Sequence, residues 1–255
     1  MMISKKPNYI FMKDIAEETL LSIKNPVLPI KVMPILKELT SKNLIVHTFE
    51  QYAKIENIDY EEFLVSAPSK DGTLRYLPFN NSYILLYNKN VQKERKIWTI
   101  AHELGHYLGN HLLKKYDFLK KYPKYKQIPE SLDIIFEQEA NCFAKELLAP
   151  VSLVQYTMAT FKALDFVAIY TILRSLFRLS KQASFHIATD ISKCKTPHYS
   201  REIILKYKPA LICFFDIIHD SNTFNALTKK YQLEIDLMNR QDRRVNRISE
   251  IFYDV

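Results

Sequence analysis

The segment Lys93 to His111, KERKIWTIAHELGHYLGNH, constrains the fold more than any other stretch of the chain. Its apolar residues Ile97, Ile100, Ala101, Leu104 and Leu108 recur every three or four positions. That spacing predicts one stripe of an amphipathic helix, which has to be buried against a second element. At about 100° per residue, His102 and His106 project about 140–180° from the stripe, on the face that also carries Arg95, Thr99 and Asn110. The two histidines are one turn apart, so both imidazoles can reach one point above the helix.

Glu103 completes His-Glu-Leu-Gly-His, the H-E-x-x-H pattern of zinc hydrolases. Two neutral imidazoles on a rigid scaffold bind one metal ion, and the intervening carboxylate hangs beside the metal-bound water. Zinc lowers the pKa of that water from about 16 to about 7. Glu103 can then take the proton, direct hydroxide at a carbonyl and pass the proton to the leaving amine. A bare H-E-x-x-H also arises by chance on helix surfaces, so a third ligand decides the matter. The longer pattern H-E-x-x-H-x-x-G-x-x-H is not met. Gly109 is in place, but Leu112 holds the final position and His111 comes one residue early. On a continuous helix that is an error of about 100°, so His111 is expected at the surface or the helix end.

A carboxylate from a second helix is the alternative. Residues 131–149, SLDIIFEQEANCFAKELLA, put Leu132, Phe136, Ala140, Phe143 and Leu147 on one stripe, and Pro150 stops the helix. Glu137 and Asn141 share a flank about 100–140° from that stripe, whereas Glu139 falls on the opposite flank. With both stripes on a shared core, Glu137 becomes the third ligand, ahead of Glu139. Asn141 can then hold a metal-binding histidine by its free ring N–H, and Glu139 is an ordinary surface carboxylate. The donor types favour zinc, one ion per chain, although manganese or iron can also occupy a two-His, one-carboxylate site.

Together the two segments resemble the ImmA/IrrE family of metallopeptidases. The family pattern is an arginine a few residues before A-H-E-L-G-H, then E-x-x-A-N-x-F-A-x-E-L-L-x-P. This chain shows Arg95, the run Ala101 to His106, and EQEANCFAKELLAP from Glu137 to Pro150. Ala149 stands where the family usually has Met, and the match covers residues 83–150. The resemblance implies a thermolysin-like zinc site with His102, His106 and Glu137 as ligands and Glu103 as catalytic base. Family members are often encoded by prophages and other mobile elements. They cleave, or promote loss of, a partner helix-turn-helix repressor and so release transcription. The expectation is therefore an anti-repressor endopeptidase with a protein substrate. The competing expectation is a regulator that binds DNA or protein, its metal site kept for structure or sensing.

The rest of the chain sets the frame. Residues 14–24 and 31–42 have helical spacing, with Pro26, Pro29 and Pro34 breaking the stretch. Residues 43–49 and Tyr83–Tyr87 read as strands, Asp71-Gly72 as a turn, and the pattern after residue 92 is helical almost to the end. The expected class is α+β: a small N-terminal sheet on a mostly helical, thermolysin-like minimal metallopeptidase core, with additional C-terminal helices. The metallopeptidase domain is placed at 1–150 and a helical region at 151–255. Tyr83–Tyr87 is the strand expected to pair with an extended substrate. Tyr107, His186 and His198 are the candidates for stabilising an oxyanion; His47 and His219 have no motif around them.

Residues 167–190 read as a helix-turn-helix, with Ser180 as N-cap of the second helix. That helix offers only Lys181, Gln182, Ser184 and His186 for base or phosphate contacts, so substrate-docking or core helices are preferred over a DNA reader.

Of 36 basic and 28 acidic residues, the stretch 89–126 holds 10 and 3, supplying 7 of the 8 net positive charges. This is a solvated surface, or a rim that attracts an acidic partner or nucleic acid. The longest apolar run, Ala210 to Phe215, is six residues, far short of the about 20 a membrane span needs. Three scattered cysteines and a charged N-terminal stretch without an apolar core complete the expectation of a soluble, cytoplasmic protein.

Overall fold

The computed structural model describes residues 6–40, 43–162, 165–193, 200–218 and 221–253. The chain divides into two compact units, Met1–Pro150 and Val151–Val255.

The first unit runs α1 (Tyr9–Ser22), α2 (Val32–Leu39), β1 (Leu44–Thr48), α3 (Phe49–Glu56), α4 (Tyr60–Ser66), β2 (Gly72–Leu77), β3 (Ser82–Tyr87), α5 (Lys93–Leu108), α6 (His111–Lys121) and α7 (Glu130–Leu148). Its architecture is α+β, a three-stranded sheet within a mostly helical unit. Side chains at the helix starts take up the free N–H groups there. Asn8 accepts from Phe11 N (3.1 Å), which lets α1 begin five residues earlier than its apolar spacing indicates. Thr48 and Gln51 form a capping box on α3, and Asp59 accepts from Glu61 N and Glu62 N on α4.

The strand order is β1-β3-β2, with β1 parallel and β2 antiparallel to β3. Tyr83–Tyr87 is therefore the central strand, paired on both sides, and cannot accept a substrate strand. That overturns the sequence expectation for this segment. The edge strands are β1 and β2, a pairing order that hydropathy alone did not reveal. Asn88 N donates to Asp71 O (2.8 Å), so Thr73, Arg75 and Leu77 bond toward β3, while the main chain of Gly72, Leu74 and Tyr76 points out of the sheet.

The apolar stripes of α5 and α7 meet as their spacing predicts: Ile100, Ala101, Leu104, Phe136, Ala140, Phe143 and Leu147 are all buried. Each such large side chain contributes about 1.5–3 kcal/mol when fully buried. The helices approach closely because Gly105 faces Ala140; a Cβ on Gly105 would come within 2.9 Å of Ala140 Cα and O.

α5 ends at Leu108, short of the predicted His111. Asn110 takes a left-handed conformation (φ 54°, ψ 32°), which breaks the helix and restarts the chain as α6.

The second unit comprises α8 (Val151–Phe161), α9 (Phe166–Ser175), α10 (Lys181–Lys193), α11 (Arg201–Ile218) and α12 (Ser221–Tyr253). Asp165 caps α9 and Ser180 Oγ accepts from Ala183 N (3.2 Å) at the start of α10. Of the four residues offered for DNA contacts, Ser184 is fully buried and Lys181 pairs with Glu234 (3.3 Å). Gln182 and His186 stay exposed. Among the described residues, no single helix is long and apolar enough to cross a membrane. His198 and His219 lie outside the described residues.

Candidate active site

One turn of α5 brings His102 and His106 together, and α7 supplies Glu137 opposite them. His102 Nε2 is 3.0 Å from His106 Nε2 and 3.2 Å from Glu137 Oε2; His106 Nε2 is 3.3 Å from Glu137 Oε1. Two nitrogens and a carboxylate converging from two helices suit a metal ion. Their separations, near 3 Å, match ligands about 2.0–2.1 Å from one tetrahedral centre. His102, His106 and Glu137 form the only group of three such ligands among the described residues.

The electrostatics follow from burial and from this crowding. Burial opposes a charged His102, but the Glu137 carboxylate beside it outweighs that and holds its pKa above the ordinary value. Burial lowers His106 despite the same neighbour. The contacts with His102 and His106 hold Glu137 far below the usual carboxylate range. His106 and Glu137 are thus biased toward ligand-ready states, imidazole and carboxylate, whereas His102 is drawn toward the imidazolium and must lose that proton to bind a metal. Glu103 behaves in the opposite way. Burial pushes it up to about 7, although His102 and the backbone N–H of Leu74 draw it down. A carboxylate poised near neutral pH is matched to proton transfer.

These groups line a cleft. Asp71, Gly72, Thr73 and Leu74 form the β2 wall, Trp98 and Thr99 extend the α5 wall, and Lys115 and Asp133 close the far rim. Lys115 Nζ and Asp133 Oδ1 are 2.5 Å apart. Arg95, the family-pattern arginine, binds Asp71 Oδ2 through Nε (2.7 Å) and a terminal nitrogen (2.6 Å). This clasp ties the start of β2 to α5. Gly72 serves the same junction, because a Cβ there would meet Thr99 Cγ2 at 2.7 Å.

Asn141 Oδ1 lies 3.1 Å from His102 Nδ1, so His102 presents Nε2 to the cluster. Tyr107 does not line the cleft. It is buried beneath the sheet, donates to Asn43 Oδ1 (2.6 Å) and packs edge-on against Tyr83. His186 belongs to the second unit and is exposed on α10.

Two expectations fail. His111 is fully buried, not at the surface, and Glu139 is only 5 % exposed. The turn at Asn110 swings His111 inward until its Nδ1 stands 3.0 Å from His106 Nδ1, on the side away from the cluster. Its Nε2 is 2.9 Å from Glu139 Oε2. The flank of α7 opposite Glu137 faces not solvent but the start of α1, where Asn8 N donates to Glu139 Oε1 (2.7 Å). The Gly109-Asn110 pair was the available signal, since asparagine readily adopts positive φ and ends helices.

A helix-borne H-E-x-x-H facing a glutamate from a second helix, above an edge strand, defines a metallopeptidase. Residues 59–186, which are 128 of the 255, match the sequence profile of Peptidase_M78, the IrrE N-terminal-like domain. The chain belongs to this metallopeptidase family. A comparison with curated proteins finds no match.

Proposed function

We propose that this chain is a zinc endopeptidase that cleaves a partner protein, a helix-turn-helix repressor, in the cytoplasm. The carrying observation is the convergence of His102, His106 and Glu137 beside a Glu103 raised to about 7, on a cleft walled by a free strand edge. His102, His106 and Glu137 would hold the metal. When bound, zinc supplies Lewis acidity, which polarises a carbonyl and acidifies water.

The chain's own residues account for the rest. Outward main-chain groups of Gly72 and Tyr76, with the carbonyl of Leu74 whose N–H serves Glu103, pair with an extended substrate and lay its backbone along the cleft. Glu103 takes a proton from water in the cleft and returns it to the leaving amine. Asn141 keeps the His102 ring from turning. The Arg95–Asp71 clasp fixes the height of β2 above α5. Within this reading residues 1–150 carry the chemistry and 151–255 supply docking helices for the substrate. The thin polar face of α10 supports protein docking over DNA reading.

N-terminal labelling of the proteome in host cells expressing wild type or Glu103→Gln tests the proposal. One new N-terminus, within a helix-turn-helix protein and absent from the variant, is the expected result. Many new termini would sink the narrow-substrate reading. Identical profiles, with both forms still binding zinc, would favour a regulator in which the metal is structural.

A further inference from the structure

We infer that Glu139 and His111 form a relay behind His106 that holds it in the tautomer a metal ligand requires, making both of them positioning residues. The inference rests on the metal reading of the cluster containing His102, His106 and Glu137.

The argument is proton bookkeeping across three side chains. His106 turns Nε2 toward His102 and Glu137, and Nδ1 toward His111 Nδ1 at 3.0 Å. A neutral imidazole carries one N–H, so a His106 that offers the Nε2 lone pair to a metal has its proton on Nδ1. Two imidazole nitrogens 3.0 Å apart share a single proton. Nδ1 of His111 must then accept, and the proton of His111 must sit on Nε2. That nitrogen belongs to a fully buried ring and lies 2.9 Å from Oε2 of the nearly buried Glu139. The contact is close but its N–H is not aligned on the oxygen, and Nε2 has no other partner. The carboxylate therefore selects the Nε2–H form chiefly by charge. A Glu139 that presented a donor instead would push the proton of His111 to Nδ1, against the N–H of His106.

The surroundings lock this arrangement. His111 stacks on Phe136 (centroids 4.7 Å apart, planes within 13°). Its Nε2–Cδ2 edge lies against Gly109, where an added Cβ would clash with both atoms. Glu139 is anchored by the N–H of Asn8 (2.7 Å), at the residue that also caps α1. A buried histidine and a buried glutamate are each costly without a partner. Here each is the other's partner, and the chain they make ends on a cluster nitrogen's own ring. Partners of this kind typically change metal affinity 10–100-fold when removed.

The test uses the full chain. In the zinc-loaded, nitrogen-15-labelled protein, long-range proton–nitrogen correlation reads which ring nitrogens carry hydrogen. The expected pattern is His106 protonated at Nδ1 and His111 at Nε2; His111 protonated at Nδ1 overturns the relay. In parallel, zinc affinity is measured by competition with a chromophoric chelator for wild type, Glu139→Gln and His111→Phe, with the melting of each metal-free form as control. Glu139→Gln keeps an oxygen for Asn8 but turns an amide donor toward His111, and about a 10–100-fold weaker affinity is expected. Unchanged affinity in Glu139→Gln, with wild type still binding zinc and His102→Ala not, overturns the relay and leaves the metal centre standing. A wild type that binds no zinc overturns the metal reading and the relay with it. Should both variants fail to fold, the tautomer spectrum of the wild type decides alone.

Discussion

Gly105 of α5 lies directly against the backbone of Ala140 on α7, with only 2.9 Å between Ala140 Cα and the place a Gly105 Cβ would occupy. The contact sits one residue before His106 and three residues after Glu137, so it sets how near the two ligand-bearing helices come. Adding a methyl group there pushes backbone against backbone. Overpacking of this sort costs about 1–3 kcal/mol, and the gain of about 1 kcal/mol from replacing a helical glycine offsets only part of it. Gly105→Ala is expected to lower the melting temperature and to weaken zinc binding together. Thermal melts and zinc titration check this, and a variant with unchanged zinc affinity would show that helix separation does not set the site.

The Asn141 amide holds His102 from behind through the 3.1 Å contact at Nδ1. Asn141 is exposed, so removing its side chain leaves no cavity. Asn141→Ala is therefore expected to leave melting of the metal-free protein nearly unchanged while zinc affinity falls about tenfold or more. Chelator competition at fixed pH is the measurement.

The free edge of β2 makes a prediction that separates backbone from side chain. The N–H of Tyr76 points away from β3, so a proline there removes an edge donor and leaves the ladder through Thr73, Arg75 and Leu77 intact. The Tyr76 ring packs on Tyr83 and Tyr116, which makes Tyr76→Ala the necessary control. Relative to that control, Tyr76→Pro is expected to lower kcat/KM about fivefold, the worth of one hydrogen bond of about 1 kcal/mol. Cleavage kinetics on the substrate found by N-terminal labelling measure it. Equal kinetics in the two variants would mean that the substrate does not pair with β2.

What the sequence revealed here was periodic. The stripes Ile100, Ala101, Leu104 and Phe136, Ala140, Phe143 were readable because a buried helix face repeats every three or four residues, and they are buried as expected. The same geometry put His102, His106 and Glu137 together, and Asn141 behind His102. What stayed hidden depends on chain reversals and pairing order, which leave little local trace. His111 escaped because a helix was extended through Asn110, whose positive φ ends it. Glu139 was placed on the correct flank of α7, but nothing local shows that α1 covers that flank. Tyr83–Tyr87 was correctly seen as a strand, whereas its central place depends on β2, whose sequence Gly72-Thr-Leu-Arg-Tyr-Leu77 carries a weak pattern.

The second unit makes its own prediction, independent of any metal. Glu234 on α12 accepts from Tyr170 Oη (2.5 Å) and Arg174 Nε (2.9 Å) on α9, and Lys181 Nζ on α10 lies 3.3 Å away. One carboxylate thus joins three helices. Burial opposes its charge, but the hydrogen bond from Tyr170 and the cations Arg174 and Lys181 win, so its pKa lies below the ordinary 4.5. A carboxyl group with a lowered folded-state pKa contributes stability in full above its unfolded value, and that contribution is lost as pH falls through the folded one. Glu234→Gln is therefore expected to destabilise the unit at pH 7, by an amount on the order of 2 kcal/mol for a hydrogen-bonded charge. The gap from wild type should close only below about pH 4.5, the unperturbed value. Urea melts of both forms at pH 7 and at descending acidic pH measure it. A gap that instead widened on acidification would show that Glu234 is held protonated, its hydroxyl donating within the cluster.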